Sequence, residues 1–457
     1  MSQTRPPASH GHHDPARPLL SVEQALDGIL AAIPGPLPTE RLAPASAVGR
    51  VLAEPVVAST SLPPWDNSAM DGYALLAADT VEASAERPTV LRVVGDARAG
   101  VASEVVVTSG SAVRIATGAP VPDGADAVIP VEETVPLDGS GAATGGKSRD
   151  ATGELPAAIQ LEGPVPSGAS IRRAGSDVRA GQTVLEAGSV LSPAAIALAS
   201  GVGADAVTVH RRPRVAVLAT GDEVRAAGEE LGPAGIPDAN RPGLIGSVTV
   251  AGGEAVDLGI APDQLEDVLD RLRLGLAERV DAIIVSGGVS VGPYDVVKTA
   301  FDQIGRIDLW RVAVQPGKPF AFGSVDREGS VPVLLFGLPG NPVSSLVTFE
   351  LFVRPALRRL AGHRPDRLVR PTDRAVLNDR VTKSHGRRAF LRVRAQRSER
   401  GAPIRDGQGR AQVRLAGGQG SHVLSAIAAA DALAIIPETD DELPAGAEVE
   451  LWWLDAS

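Results

Sequence analysis

From Pro213 onward the chain repeats one unit: a short apolar strand, a loop rich in glycine or proline, then a helix. That repetition leaves few folds open. Residues 214–219 (RVAVLA) are almost continuously apolar, as a strand covered on both faces must be, and they run into Thr220-Gly221-Asp222-Glu223. A helical stretch over 244–250 leads to a strand at 255–260. Leu265, Val268, Leu269, Leu272 and Leu276 then recur on one face of a helix. A strand at 282–285 ends in Ser286-Gly287-Gly288, and a helix is predicted from about Asp295 to Ile304. The strand read over 307–314 closes on Gln315-Pro316-Gly317-Lys318, and the one over 331–336 on Gly337-Leu338-Pro339-Gly340-Asn341. A long apolar helix follows, with Pro355 expected to kink it and Arg354, Arg358 and Arg359 near its end. The fold class these elements imply is α/β, built on a doubly wound, mostly parallel sheet with helices on both faces.

The remainder of the 457 residues exceeds what one core organises, so about three domains are expected. Ser21-Val22-Glu23-Gln24 has capping-box form, and Val22, Leu26, Ile29, Leu30 and Ile33 continue it at helical spacing. After that, proline and glycine punctuate short apolar runs, the pattern of a strand-rich region. Residues 138–158 are small, polar and low in complexity, and read as a flexible surface insertion. Beyond about Pro365 the helical period disappears. Runs at 389–395, 411–415, 432–436 and 448–453 predict a small all-β domain.

Composition excludes several kinds of chemistry. The chain has no cysteine, so disulfides, thiolate metal sites and a cysteine nucleophile are out, and any thiophilic metal must take its sulfur from a substrate. A net charge of −11 without a long basic run argues against nucleic acid as a partner. No apolar run approaches the ~20 residues that span a bilayer, so no membrane role is expected. The first 18 residues lack the apolar core of a signal peptide and read as a disordered tail of a cytoplasmic protein, in which His10, His12 and His13 need bind nothing.

In an open parallel sheet, ligands bind beyond the carboxyl ends of the strands, and four loops (TGDE, SGGVSVGPYD, QPGKP and GLPGNP) are expected there. Glycine lets backbone approach a ligand, proline stiffens a loop, and helix N-termini after Asp295 and Asn341 offer N–H groups to an anion. Lys318 adds a fixed charge. Glu223 and Asp295 suit Mg2+, a hard cation that prefers carboxylate and phosphate oxygen. Each residue also has a plain structural use: Asp295 and Asn341 as helix N-caps, Asp222 and Glu223 as solvated loop charges, Lys318 as a surface lysine. Convergence of the four loops on one edge favours a site for an oxyanion or phosphate with magnesium.

Longer strings are more specific. DNSAMDGYA (66–74), TGAPVP (117–122), IRRAGSD (171–177), TGDE (220–223), SGGVSVGPYD (286–295), PGKPFAFG (316–323), GLPGNPVS (337–344) and GQGSH (418–422) occur in this order. With them the chain resembles the bacterial MoeA family, to which the E domain of gephyrin also belongs. The resemblance implies an elongated N-terminal helical domain (19–60 and 167–212) interrupted by a β-rich insertion domain (61–166). A doubly wound domain (213–365) and a C-terminal β-barrel (366–457) would follow. The reaction it implies is Mg2+-dependent insertion of molybdate into adenylylated molybdopterin, which releases AMP and molybdenum cofactor. Carried over by motif position, the catalytic residues would be Asp71, Thr117, Asp177, Glu223, Asp263 and Asp295, with Glu223 and Asp295 as metal ligands. Substrate would be held by Lys318, Gly287, Gly288, Ser290, Gly317, Pro339, Gly340, Asn341 and Ser344. A homodimer whose two subunits share each active site, supplied by an adenylyltransferase partner, is also implied. Two departures stand out: the 138–158 insertion looks longer than usual, and Gln315 stands where some members carry a second lysine.

Two strings point elsewhere. GAATGGKS (141–148) has P-loop spacing but lacks the preceding strand and following helix. GVSVG (288–292) matches the nucleophile elbow of a serine hydrolase at Ser290, but two glycines separate Ser290 from the strand and Pro293 delays the helix. A gephyrin-like scaffold without catalysis is the non-enzymatic alternative; the carboxylates and Lys318, all present, speak for catalysis.

Overall fold

The apolar run beginning at Arg214 is the centre of the molecule in a computed structural model, which describes residues 19–101, 104–145, 154–288, 296–329 and 331–454. Six strands form its sheet, in the spatial order Glu254–Ala261, Arg214–Thr220, Ala282–Ser286, Val333–Leu338, Pro319–Val325 and Arg306–Arg311. The first four are parallel. The last two continue the sheet antiparallel, because Arg306–Arg311, Pro319–Val325 and Val333–Leu338 are joined by direct connections without crossover helices.

Along each central strand, alternate side chains enter opposite cores. Val215, Val217, Ala282, Ile284, Leu334 and Phe336 face one side, packed with α1 (Val22–Ala31), α3 (Asn240–Val250), α6 (Pro342–Thr348) and α7 (Arg354–Leu360). Ala216, Leu218, Ile283, Val285, Val333 and Leu335 face the other, packed with α4 (Leu265–Ala277) and α5 (Val296–Ile304). Two-sided burial is why these strands read as unbroken apolar runs. The capping box of α1 is present, with Gln24 N donating to Ser21 Oγ at 3.1 Å and Ser21 N to Gln24 Oε1 at 2.9 Å. The helix rides on the sheet body, and Glu23 pairs with Arg388 of the C-terminal region.

Two local readings change. The predicted strand 307–314 is two pieces: Arg306–Arg311 stays in the sheet, and Val314–Gln315 leaves it to pair with Arg388–Ala389 of the C-terminal region. Pro319–Val325, quoted only as a motif, is a strand. The long helix does break near Pro355, but as a π-helical turn over Phe349–Val353 between α6 and α7. Proline has no N–H to give the Leu351 carbonyl, and the wider turn absorbs that loss.

A second buried cluster joins Ala47, Leu52, Val56 and Ala58 to Leu191, Ala199, Val207 and Val209, around α2 (Pro193–Gly201). Between these chain segments a separate six-stranded sheet forms, in the order Ala127–Pro130, Gly72–Leu75, Ser111–Ile115, Thr89–Ala97, Ala158–Leu161, Thr134–Leu137. The polar insertion is the connection of its last hairpin, since Leu137 pairs with Ala158. Its beginning is ordered: the Asp138 carboxylate accepts Ser140 N at 2.8 Å and Ala142 N at 3.0 Å. The strand already begins at Ala158, and residues 146–153 lie outside the described residues.

The C-terminal barrel closes from Arg388–Ala395 through Ala411–Leu415, Asp373–Leu377, Ala447–Trp453 and Ala432–Ile436 back to Arg388–Ala395. The strand Asp373–Leu377 is the one the sequence reading lacked. Arg370, buried at the junction with the sheet body, donates to Glu350 at 2.7 Å and to the Trp453 carbonyl at 2.7 Å. Among the described residues, no helix is long and apolar enough to cross a membrane.

The end of α7 carries a pH-sensitive element. Burial, then the charges of Arg358 and Arg354, pull the His363 imidazole down from 6.5 to about 3. The unfolded chain therefore binds this proton at a pH where the fold refuses it, so stability is complete above pH 6.5 and falls as pH drops toward 3. His363→Gln should flatten that part of a melting temperature against pH curve. An unchanged slope would exclude His363 as its source.

Candidate functional site

The described residues of all four glycine- and proline-rich loops lie along one edge of the central sheet, because the three-strand turn-back at its far side returns residues 312–318 to the carboxyl ends of the parallel strands. The centre of that edge is tightly constrained. Gly287 has φ +98°, and a Cβ there would lie 2.4 Å from the Thr220 carbonyl oxygen. A Cβ on Gly288, at φ +62°, would lie 2.5 Å from Val297. Only glycine fits either position. Asn240, in the first turn of α3, stitches this loop to the next: its side-chain amide donates to Ser286 Oγ at 2.8 Å and to the Gly340 carbonyl at 2.7 Å. Pro339 is buried beside it, its carbonyl 3.5 Å from Ser286 Oγ. The Thr220 hydroxyl is buried here without a partner among the described residues.

Asn341 holds the N-cap position of α6 but makes no side-chain cap bond, and it stands exposed. Its amide is thus available to a ligand beside the helix N-terminus. Ser344, one turn on, is buried. Gly317, at φ +115°, lets the QPGKP loop close against α6, since a Cβ would meet Thr348 at 2.5 Å. Lys318 follows, half-buried, and its ammonium is held below the usual lysine range by desolvation and by Arg387 and Arg311. Gln315, in place of a second lysine, is used structurally: its Oε1 accepts Ser384 N at 3.0 Å and ties the loop to the barrel.

Acidic groups sit at the end of the first strand. The Asp222 carboxylate accepts Asp263 N at 3.1 Å. Burial, then the charges of Asp222 and Glu223, push the Asp263 carboxyl above the usual carboxylate range. Glu223 is exposed, its carboxylate folded over Gly221. Among the described residues no three acidic or histidine side chains are placed to hold a metal by themselves. Asp295 and Ser290 lie outside the described residues, as do Lys147 and Ser148 of the P-loop string.

The other predicted residues form a second constellation in the β-rich insertion. The Asp71 carboxylate accepts both Thr117 N at 2.7 Å and Thr117 Oγ1 at 2.9 Å, and Val131 N donates to the Asp71 carbonyl at 3.0 Å. The strand pair Asn67–Ser68 and Ile171–Arg172 brings the DNSAMDGYA and IRRAGSD strings together. Asp66 cements them, accepting Arg173 Nη1 at 2.6 Å and Ala174 N at 2.8 Å, and these bonds hold its carboxyl below the usual range. Asp177 is exposed in the following turn, its amide on the Leu62 carbonyl.

Sequence reasoning missed Asn240, Thr220 and Arg392. Arg392 is only 1% exposed and has no carboxylate partner among the described residues. It donates to the Phe390 and Gly420 carbonyls at 3.1 and 3.3 Å while its Nε has no partner among the described residues, and burial pulls it down to about 10. The loop above it, GQGSH, reaches α6 through the Val343 N to Ser421 carbonyl bond of 3.1 Å. A buried cation without counter-charge is costly, which makes the adjoining space attractive to an anion. The only prior signal was the GQGSH string itself.

Comparison with known proteins covers almost the whole described chain. Three family models match: "MoeA N-terminal region (domain I and II)" over residues 20–203, "Probable molybdopterin binding domain" over 216–359, and "MoeA C-terminal region (domain IV)" over 374–454. The molybdopterin molybdenumtransferase of Haemophilus influenzae is 34% identical over 433 residues, 95% of this chain and 98% of that protein. Molybdopterin molybdenumtransferase 2 of Mycobacterium tuberculosis is 39% identical over 415 residues, 89% of this chain and 93% of that protein. A crystal structure of the molybdopterin biosynthesis moeA protein from Pyrococcus horikoshii superposes with a TM-score of 0.74 at 28% identity, covering 95% of this chain and 100% of that one.

Proposed function

Because the chain belongs to the MoeA family of molybdopterin molybdenumtransferases, enzymes of molybdenum cofactor biosynthesis, we propose that its sheet-edge loops insert molybdate into adenylylated molybdopterin and release AMP. The observation that carries this reading is one edge with two chemical ends. Lys318 and the exposed Asn341 amide offer positive and donor groups; Glu223 and Asp263 offer carboxylate oxygen.

Divalent magnesium fits this donor set. Magnesium is usually held by one or two carboxylates together with substrate phosphates, so three converging protein ligands are not required. Burial first, and then the charges of Asp222 and Glu223, raise the Asp263 carboxyl, and a nearby cation would relieve the second of these. Glu223 and Asp295 would hold it, and it would supply charge neutralisation at the phosphoanhydride that breaks. The protein's own groups do the rest. Gly287 and Gly288 admit substrate close to backbone, Pro339 and Gly340 keep that wall rigid, and Lys318 neutralises the arriving oxyanion. Arg392, beneath GQGSH, deepens the positive potential on the α6 side. The pterin dithiolene supplies the sulfur that a chain without cysteine cannot.

The same proposal extends to a cytoplasmic two-fold dimer, fed by an adenylyltransferase, with a site completed across subunits. In support, the buried clusters around Asp71 and Thr117 draw on residues 73–171 and share no member with either core of the central sheet. The reaction is tested by incubating protein with adenylylated molybdopterin. AMP is expected only when molybdate and a divalent metal are both present. AMP release independent of either, or covalent labelling of Ser290 by an ester probe, would overturn the reading.

A further inference from the structure

We propose that the edge of the central sheet opposite the catalytic loops carries a second anion site, for a small phosphate-bearing molecule. A cavity of about 470 Å³ opens there, lined by Arg211, Arg214, Arg279 and Arg327. Arg214 begins the first central strand, Arg279 follows the C-terminus of α4, and Arg327 follows the strand Pro319–Val325. A protein of net charge −11 has gathered four guanidiniums around one hollow, where mutual repulsion opposes their approach.

Three of them are anchored by groups of the protein itself. Arg211 forks onto the buried Asp281 carboxylate at 2.6 and 2.7 Å. Arg327 Nη2 donates to the Val280 carbonyl at 2.8 Å, and Arg214 Nη1 donates to the Glu278 carbonyl. Each guanidinium has five N–H donors, so anchoring leaves others for a guest, already oriented. Asp281 answers one of the four charges. Glu254 and Glu278 reach Arg214 only at 3.4 and 3.5 Å, from side chains more than half exposed or close to it (59% and 50%). Capping of the C-terminus of α4 would account for Arg214, which reaches the Glu278 carbonyl, but not for Arg279. That residue has φ +55°, a conformation glycine adopts without strain, and it lines the cavity as an arginine. Planar forked donors around a hollow of this size match the oxygens of a phosphoryl group.

The test is calorimetric titration of the full chain with inorganic pyrophosphate and, separately, with AMP. Saturable binding is expected, weakened at least tenfold in the double variant Arg279→Gly/Arg327→Gln and retained in Lys318→Ala. Glycine suits the positive φ, so the double variant should keep the wild-type melting temperature. Tighter binding of AMP identifies a nucleotide as the guest, and tighter binding of pyrophosphate a free phosphate; both support the site. Absence of saturable binding by either overturns it. So does binding that survives the double variant but is lost in Lys318→Ala, which would assign the anion to the catalytic edge.

Discussion

Glu223→Gln is expected to lower turnover roughly a hundredfold or more, the scale of removing one well-placed charge from a phosphoryl or metal site. The melting temperature should hardly move. The side chain is exposed, and the backbone bond by which Glu223 orders its loop, from Ile236 N at 2.8 Å, is untouched by the change. Surface substitutions of this kind stay within about 0.5 kcal/mol. Because the lost charge is proposed to hold magnesium, raising the metal concentration should recover part of the deficit. A deficit that ignores magnesium, with metal affinity measured as normal, would remove Glu223 from the metal's ligands.

Asp71→Ala and Lys318→Ala should each be nearly inactive alone and regain activity when mixed. Asp71 holds Thr117 through two bonds in the insertion, whereas Lys318 stands at the sheet edge. If each pocket of a two-fold dimer takes Asp71 from one subunit and Lys318 from the other, a heterodimer has one doubly damaged and one intact pocket. Random exchange then restores up to about a quarter of wild-type activity. Heterodimers proven by tagged co-purification but still inactive would place both residues in a single subunit's site or outside catalysis. Either variant losing its fold would show as a lowered melting temperature. For Asp71 the change leaves the Val131 N bond to its carbonyl in place.

Local patterns carried much of the architecture. Period-2 and period-3.6 burial depend on neighbours a few residues away, so the strand at Arg214, the amphipathic face of α4, the capping box at Ser21 and four barrel strands were legible directly. Pro319–Val325 was not, because its sequence PFAFGSV starts on the last proline of Pro-Gly-Lys-Pro and has no period to separate strand from loop. The antiparallel turn-back it creates is what returns Lys318 to the edge that carries the glycine- and proline-rich loops. Asp71 and Thr117 could be nominated by their strings, but their hydrogen-bonded pairing joins residues 46 apart.

What the sequence determined by itself was therefore the class of fold, the loops that punctuate it and the residue types able to meet an oxyanion. These follow from backbone sterics and the spacing of apolar side chains, both local properties. Tertiary structure alone decided that Asn240 ties Ser286 to Gly340, that Thr220 and Arg392 are buried with polar atoms unmet among the described residues, and that four arginines share a hollow at the far edge. Those facts depend on how far a polar group is carried from water and which distant partners pack beside it. Desolvation and long-range packing are set by the whole fold, and no spacing of residues along the chain records them.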